Sequence, residues 1–164
     1  MRDEGDRALL TLAFNAKVAA SPRCVWRVLS DPATAARWLP SFEGWISAPP
    51  LALTTLSSLR FRSRLHRVPV AAELRVLEVT PGRIRAQFRL GLFAFTARFS
   101  LVPEPGVEGA TRIGLVVSIT NQIAVVSGSL DRFAVRKLAS ELAEHTLAAI
   151  TACAEDLAQR AARP

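Results

Sequence analysis

The last third of the chain carries the longest hydrophobic pattern, and its spacing is that of an α-helix. Between about residues 121 and 161, apolar residues recur every three to four positions. This stripe consists of Val135, Leu138, Leu142, Leu147, Ala149, Ile150, Cys153 and Leu157. Charged residues occupy the opposite side, and no proline interrupts the segment before Pro164. The pattern predicts an amphipathic helix of about 30 residues, whose apolar face needs a matching surface from the rest of the chain.

Two starting points for this helix are compatible with the sequence. Asn121 would cap a helix that already includes Ile123 and Leu130. Alternatively, Ser127-Gly128-Ser129 interrupts the segment, because glycine inside a helix costs about 1 kcal/mol relative to alanine. We favour a break or kink at this glycine.

The beginning of the chain predicts one strand and two short helices. Residues 8–18 alternate between apolar and polar side chains, which is typical of a half-buried strand. Ser21-Pro22 and Asp31-Pro32 each place a capping side chain before a proline, as at the start of a helix. The second helix is expected to end near Trp38-Leu39-Pro40.

Strand patterns fill the middle of the chain. A short strand is expected over residues 43–47, and the apolar loop 48–58 after it either folds over a ligand opening or packs on the core. Further strands are predicted over 59–68, 73–79, 83–90, 93–102 and 111–120. The connections are short, with Pro81-Gly82 marking one turn, so the strands are expected to form an antiparallel meander.

These strands have two chemically different faces. The apolar face includes Leu59, Phe61, Ile84, Phe88, Phe93, Phe95, Phe99, Leu115 and Val117. The polar face carries Arg60, Arg62, Arg64, Arg83, Arg85, Arg89, Arg98 and Arg112. Since only the apolar face can cover the C-terminal helix, the sequence predicts an α+β fold. A curved antiparallel sheet wraps the long helix, with an apolar cavity between them.

Composition narrows the class of protein. With 164 residues, half of them apolar, the chain is expected to form one domain over 1–164 with its core at about 8–160. No apolar run reaches the roughly 18 residues of a membrane span. The acidic start, Met1 to Asp6, is unlike a secretory signal, and Cys24 and Cys153 are expected to be buried free thiols, which predicts a cytoplasmic protein. The two histidines lack metal-ligand spacing, so no metal site is expected.

The net charge is +7, and 19 arginines stand against 2 lysines. A GC-rich bacterial coding bias toward arginine and alanine accounts for this balance. The alternative is an anion-binding face.

Three segments of the sequence resemble a known superfamily. Val18 to Pro32 resembles the first strand and helix of the START-like helix-grip (SRPBCC) proteins. Trp38-Leu39-Pro40 resembles the end of their second helix, and Gly109-Ala110-Thr111-Arg112 their entry to the last strand. The resemblance extends over about residues 8–160. The sequence is similar both to the polyketide cyclase/dehydrase and lipid-transport branch and to the carbon monoxide dehydrogenase branch of the superfamily.

The resemblance implies a hydrophobic small-molecule ligand between sheet and helix: a lipid, isoprenoid, quinone or polyketide. Members of the superfamily include carriers and cyclases, and no cofactor is usual among them. The chain is thus expected either to cyclise or dehydrate its ligand, or to carry it without catalysis.

Such a cyclase needs an apolar cavity and one or two polar groups. His145, at the edge of the helical stripe, and Glu78, in phase with Leu74 and Val76, are the candidate catalytic residues. A surface histidine and a solvated carboxylate near a strand end are the competing interpretations, and we favour these. The candidate ligand-binding residues are Trp45, Phe61, Phe88, Phe93, Phe95, Phe99, Leu115, Val117, Asn121, Leu138 and Leu142.

A second hypothesis concerns the arginine-bearing side of the sheet. If its strands are neighbours, the arginines form one patch suited to an anionic membrane surface. The patch lacks interleaved aromatic residues for base stacking, which argues against nucleic acid. A carrier that collects its ligand at a membrane would combine both hypotheses.

Overall fold

The first strand and both short helices form where their capping signals predict them. The computed structural model describes residues 10–91, 93–119 and 132–164. Strand β1 covers Leu10–Val18, helix α1 Pro22–Ser30 and helix α2 Pro32–Ala35. The Ser21 hydroxyl accepts a hydrogen bond from the Cys24 amide at 3.3 Å, and the Asp31 carboxylate accepts one from the Ala33 amide at 2.9 Å.

Helix α2 is shorter than predicted. It ends at Ala35, and turns follow in place of the expected continuation toward Pro40. Proline disfavours helical geometry in the residue before it, which explains why the chain leaves the helix ahead of Leu39-Pro40.

The strands form a single curved antiparallel sheet, as predicted. After β1 they are β2 Gly44–Trp45, β3 Ser58–Leu65, β4 Val68–Thr80, β5 Arg83–Leu90, β6 Phe93–Pro103 and β7 Thr111–Ile119. Their order across the sheet is β1-β7-β6-β5-β4-β3-β2. Consecutive strands from β2 to β7 are neighbours, and β1 closes the order by pairing with β7. Leu53 anchors the apolar loop before β3 in the core, whereas Leu51 and Leu56 are exposed.

The hairpin between β3 and β4 differs from the prediction. The expected strand over 59–68 ends at Leu65, and β4 starts at Val68, well before the predicted residue 73. His66 and Arg67 form a two-residue turn in which both residues have positive φ, 47° and 70°. Neither is a usual residue for that conformation, so the sequence carried no turn signal.

The long C-terminal helix, α3, covers Arg132–Ala162 and has 31 residues. It packs against β1, β7 and α1, on the apolar side of the sheet. This arrangement confirms the predicted helix-grip fold. Both proposed starting points, Asn121 and Ser127-Gly128-Ser129, lie outside the described residues.

The buried face of α3 is rotated relative to the predicted stripe. Its buried residues are Ala139, Ala143, Thr146, Leu147, Ile150, Cys153 and Ala154. Val135, Leu138, Leu142, Ala149 and Leu157 are only half-buried. The small side chains face the core because they let the helix backbone approach the sheet closely, and the larger ones flank this line of contact.

Two buried hydroxyls explain the motifs that resembled the superfamily. The Thr111 hydroxyl, at the start of β7, donates a hydrogen bond to the Ala20 carbonyl at 2.6 Å. The Ser63 hydroxyl on β3 donates one to the carbonyl of Pro40 at 2.7 Å. Each bond fixes a chain corner to the sheet.

Among the described helices, none is both long enough and apolar enough to cross a bilayer.

Candidate functional site

The apolar face of the sheet and α3 enclose two small spaces. The first, here called the inner pocket, is lined by Pro40, Phe88, Phe95, Ala97, Phe99, Leu115, Val117, Ala139, Leu142, Ala143 and Thr146. The second, the end pocket, is lined by Phe93, Ala94, Phe95, Ile119, Val135, Leu138, Ala139 and Leu142. Each has a volume of about 20 Å³, enough for about one water molecule.

Aromatic rings form much of the inner pocket's wall. Phe88 and Phe95 are cross-strand partners on β5 and β6, and their rings stack with centroids 5.2 Å apart. Phe99 meets the buried Trp38 edge to face, with the ring centroids 6.1 Å apart. The Trp38 indole also donates a hydrogen bond to the Val28 carbonyl at 3.2 Å. The wall is therefore held from behind by α1 and the turn after α2.

The interior is much fuller than the predicted open cavity. Drug-sized ligands occupy spaces of roughly 300 Å³ or more, and neither pocket approaches this size in the described part of the chain. Alanines on α3 allow a close approach, and phenylalanines fill the gap that remains. Phe95, Ala139 and Leu142 line both pockets and separate them. A ligand of ordinary size therefore needs the side chains of Phe95 and Leu142 to move.

A larger space, here called the outer groove, lies between edge strand β1 and α3. Its volume is about 530 Å³, it opens to solvent, and the sequence did not predict it. Its lining mixes apolar and charged residues: Phe14, Asn15, Ala16, Lys17, Glu144, Leu147, Ala148, Thr151, Ala152 and Glu155. Glu155 accepts a hydrogen bond from the Ala19 amide at 3.0 Å, so this carboxylate joins the helix to the end of β1. The groove is the competing location for a ligand.

Most of the predicted lining residues come together. Eight of them line the inner or end pocket: Phe88, Phe93, Phe95, Phe99, Leu115, Val117, Leu138 and Leu142. Trp45 and Phe61 lie elsewhere, in an aromatic cluster with Phe42 at ring distances of 4.9 and 5.9 Å from it. Asn121 lies outside the described residues. Whether any of these side chains contacts a ligand stays a prediction.

The two candidate catalytic residues are both exposed. His145 lines neither interior pocket nor the outer groove. For Glu78, the inward orientation expected from its phase was wrong, because the pairing of β4 with β5 shifts register between Val76 and Glu78. The shift turns the carboxylate to the outer face, 4.0 Å from the Arg85 guanidinium. A catalytic role for either residue stays a prediction without support from position.

Thr146 is the pocket residue that the sequence analysis missed. It is only 6% exposed and is the one polar side chain among the described residues lining the inner pocket. Its position four residues after Leu142 places it on the same helix face, so helical phase was the signal that identified it. Its hydroxyl offers a ligand one hydrogen bond inside an apolar lining.

The two thiols stay protonated under ordinary conditions. Burial raises the pKa of Cys24 above its ordinary value of 9.0, and nearby Arg27 opposes this only in part. Burial likewise raises the pKa of Cys153, with Arg37 lowering it and Asp156 raising it further. The Cys24 thiol donates a hydrogen bond to the Ala154 carbonyl at 3.4 Å, which favours the protonated form. Both thiols therefore act as packing groups between α1 and α3.

Comparison with known proteins agrees with this geometry. A family model described as polyketide cyclase/dehydrase and lipid transport matches residues 11–161. The chain belongs to this family. A search of the curated proteins finds no match.

Solved structures share the fold of this polyketide cyclase/dehydrase and lipid-transport protein. A START superfamily protein from Mycobacterium smegmatis is 22% identical, with 90% of this chain and 98% of that chain covered and a TM-score of 0.71. The Zhui aromatase/cyclase from Streptomyces sp. R1128 is 16% identical, with coverages of 94% and 96% and a TM-score of 0.65. The di-domain ARO/CYC BexL from the BE-7585A biosynthetic pathway is 22% identical over 98% of this chain and 52% of that chain, with a TM-score of 0.62. At these identities the likeness shows the helix-grip fold.

Proposed function

We propose that this family member binds an elongated, largely apolar small molecule between the sheet and α3. The observation that carries the proposal is the lining of the inner and end pockets, which is apolar except for Thr146. Apolar surface with one well-placed polar group is the usual composition of a small-molecule site. A polyketide-, isoprenoid- or lipid-like molecule matches this chemistry.

Binding would proceed by joining the two pockets. Phe95 and Leu142 stand between them, and both are half-buried, so their side chains have solvent on one side into which they can move. Displacing them costs packing contacts, and the ligand compensates by burying its own surface at roughly 25 cal/mol per Å². The Thr146 hydroxyl would then fix the orientation of a ligand carbonyl or hydroxyl.

Cyclisation or dehydration of the bound molecule is the narrower proposal. Two of the structural neighbours are described as aromatase/cyclases, and a shaped apolar wall can bring the reacting carbons of a flexible chain together. Carriage without chemical change is the alternative. Mass spectrometry of the co-purified molecule, before and after incubation with fresh protein, separates the two: a new ring or a loss of water indicates catalysis.

A pair of matched helix variants tests the location of the site. Ala139→Leu fills the space between the inner and end pockets, and Ala148→Leu adds the same side chain in the outer groove. We expect Ala139→Leu to reduce binding of anilinonaphthalene sulfonate, or of any co-purified molecule seen by native mass spectrometry, by at least about tenfold, since overpacking an interior costs about 1–3 kcal/mol. Ala148→Leu should leave binding unchanged.

Circular dichroism first establishes that both variants are folded. The opposite pattern, loss only in Ala148→Leu, would place the ligand in the outer groove and contradict the proposal. Wild-type protein that binds no apolar probe and carries no co-purified molecule would contradict it as well.

A further inference from the structure

The outer face of the sheet, opposite α3, carries a continuous field of arginines. Alternation and pairing place nine of them on this side, including Arg75, which the sequence analysis left out. They are Arg60, Arg62, Arg64, Arg75, Arg83, Arg85, Arg89, Arg98 and Arg112, here called the arginine face. All nine are exposed, and they extend over β3, β4, β5, β6 and β7.

Carboxylates neutralise only a third of these charges. Arg64 pairs with Glu43, Arg85 lies 4.0 Å from Glu78, and Arg112 holds Glu104 at 2.9 Å. For the other six, no described carboxylate lies within 4 Å: Arg60, Arg62, Arg75, Arg83, Arg89 and Arg98. The excess positive charge is thus concentrated on one side of the molecule.

The centre of the arginine face opposes like charges directly. Arg85 and Arg98 are Cα partners across β5 and β6, and Arg83 is two residues from Arg85 on the same side of its strand. Like charges directly opposite on a sheet are destabilising. A bound anionic surface removes this repulsion, so the arrangement is more favourable in a complex than in the free protein.

We propose that the arginine face docks on the surface of a bilayer that contains anionic phospholipid. The face spans five neighbouring strands, about 20 Å across at 4.8 Å per strand, and so presents an array of charges. Exposed apolar Val102, the pairing partner of Arg112, and Ile46, whose amide bonds to the Arg60 carbonyl, flank the array. No aromatic side chain lies on the described part of this face to stack on bases, which favours a lipid surface over nucleic acid.

Docking through this face leaves α3 and the interior pockets pointing away from the bilayer. The inference is independent of the proposed ligand, because it rests on the outer side of the sheet alone. Binding would depend on charge, and so on salt: the Debye length falls from about 10 Å at 0.1 M to about 3 Å at 1 M ionic strength.

Vesicle co-sedimentation tests the proposal. The wild-type chain should bind vesicles of phosphatidylcholine mixed with phosphatidylglycerol at about 0.1 M salt, lose that binding at about 1 M salt, and ignore vesicles of phosphatidylcholine alone. The triple variant Arg83→Gln, Arg89→Gln, Arg98→Gln should bind on the order of 100-fold more weakly, because each basic residue near such a surface contributes about fivefold, or about 1 kcal/mol.

A matched control removes the same charge elsewhere. Arg23→Gln, Arg27→Gln and Arg163→Gln lie on α1, which packs on α3, and at the C-terminus, so this variant should keep most of the binding. Thermal unfolding shows whether each variant is folded. Equal loss in both triple variants would overturn the proposal in favour of diffuse net charge.

Three further results would overturn it. They are absence of binding to the anionic vesicles, equal binding to the neutral ones, and displacement from vesicles by a short DNA duplex that binds more tightly through the same arginines.

Discussion

At the scale of single residues, the buried hydroxyls contribute most to the fold beyond apolar packing. Thr111 is fully buried, and its bond to the Ala20 carbonyl joins the start of β7 to the corner between β1 and α1. Ser63 does the same for the turn ending at Pro40. Each residue looks like an ordinary strand residue in the sequence, and its role depends on a partner more than 20 positions away.

Replacing Thr111 with valine should therefore destabilise the protein. Valine keeps the shape of the side chain but removes the donor, leaving the buried Ala20 carbonyl without it. We expect Thr111→Val to lower the free energy of unfolding by about 1–3 kcal/mol in a urea titration. Thr80→Val, at the exposed end of β4, is the control and should change it by less than about 0.5 kcal/mol. Equal effects of the two changes would show that the hydrogen bond adds nothing to stability.

Residue-scale prediction succeeded for the pocket lining and failed where the backbone departs from regularity. Phe88, Phe95 and Phe99 line the pocket because strict alternation holds along β5 and β6. Glu78 turned outward because one register shift reverses the phase of every later residue in the strand. Nothing in the residues themselves marks such a shift.

At the scale of elements, the caps and the alternation determined most boundaries. Ser21, Asp31 and Pro81-Gly82 each marked an end or a start correctly, since each has a local physical reason to be there. Strand β4 was underestimated because its first residues follow a turn without glycine, asparagine or proline. The rotated face of α3 depended on which side chains were small, not on which were most hydrophobic.

The turn at His66 and Arg67 is a site for stabilisation. Both residues hold positive φ, which costs an ordinary L-residue about 1–2 kcal/mol. Replacing the pair with Asn-Gly, the residues best suited to this hairpin turn, should raise the free energy of unfolding by about 1–2 kcal/mol in thermal or chemical denaturation. Arg67→Lys, which keeps both the charge and the strain, should leave it unchanged. A variant no more stable than the wild type would mean that the turn is not strained.

At the scale of the whole molecule, the sequence predicted the architecture but not the size of the interior space. The order of elements and the two-faced strands are sufficient for the helix-grip fold, because only one face of the sheet can cover the helix. Whether phenylalanines fill a space or surround one depends on the distance between sheet and helix. That distance is set by Ala139, Ala143 and Ala154 together with all their neighbours.

The two thiols between α1 and α3 should make the stability of the whole protein fall at alkaline pH. Their pKa values are raised in the folded state, so the folded protein holds these protons more tightly than the unfolded chain does. Their contribution is complete below the unfolded pKa of about 8.5 and is lost as pH rises through the folded pKa values. Unfolding titrations between about pH 7 and pH 10 should show this decline.

The double variant Cys24→Ala, Cys153→Ala provides the control for that decline. It should show a flatter dependence on pH over the same range, whatever its absolute stability. An equally steep decline in the variant would assign the effect to other groups.

The contact between Trp38 and Phe99 has a practical consequence. The chain contains no tyrosine and three tryptophans, so its ultraviolet emission comes from indole rings alone. One of those rings touches the back of a phenylalanine whose front faces the inner pocket. Anything that enters and shifts Phe99 changes the surroundings of that indole, and the protein thereby carries a built-in optical reporter of its own occupancy.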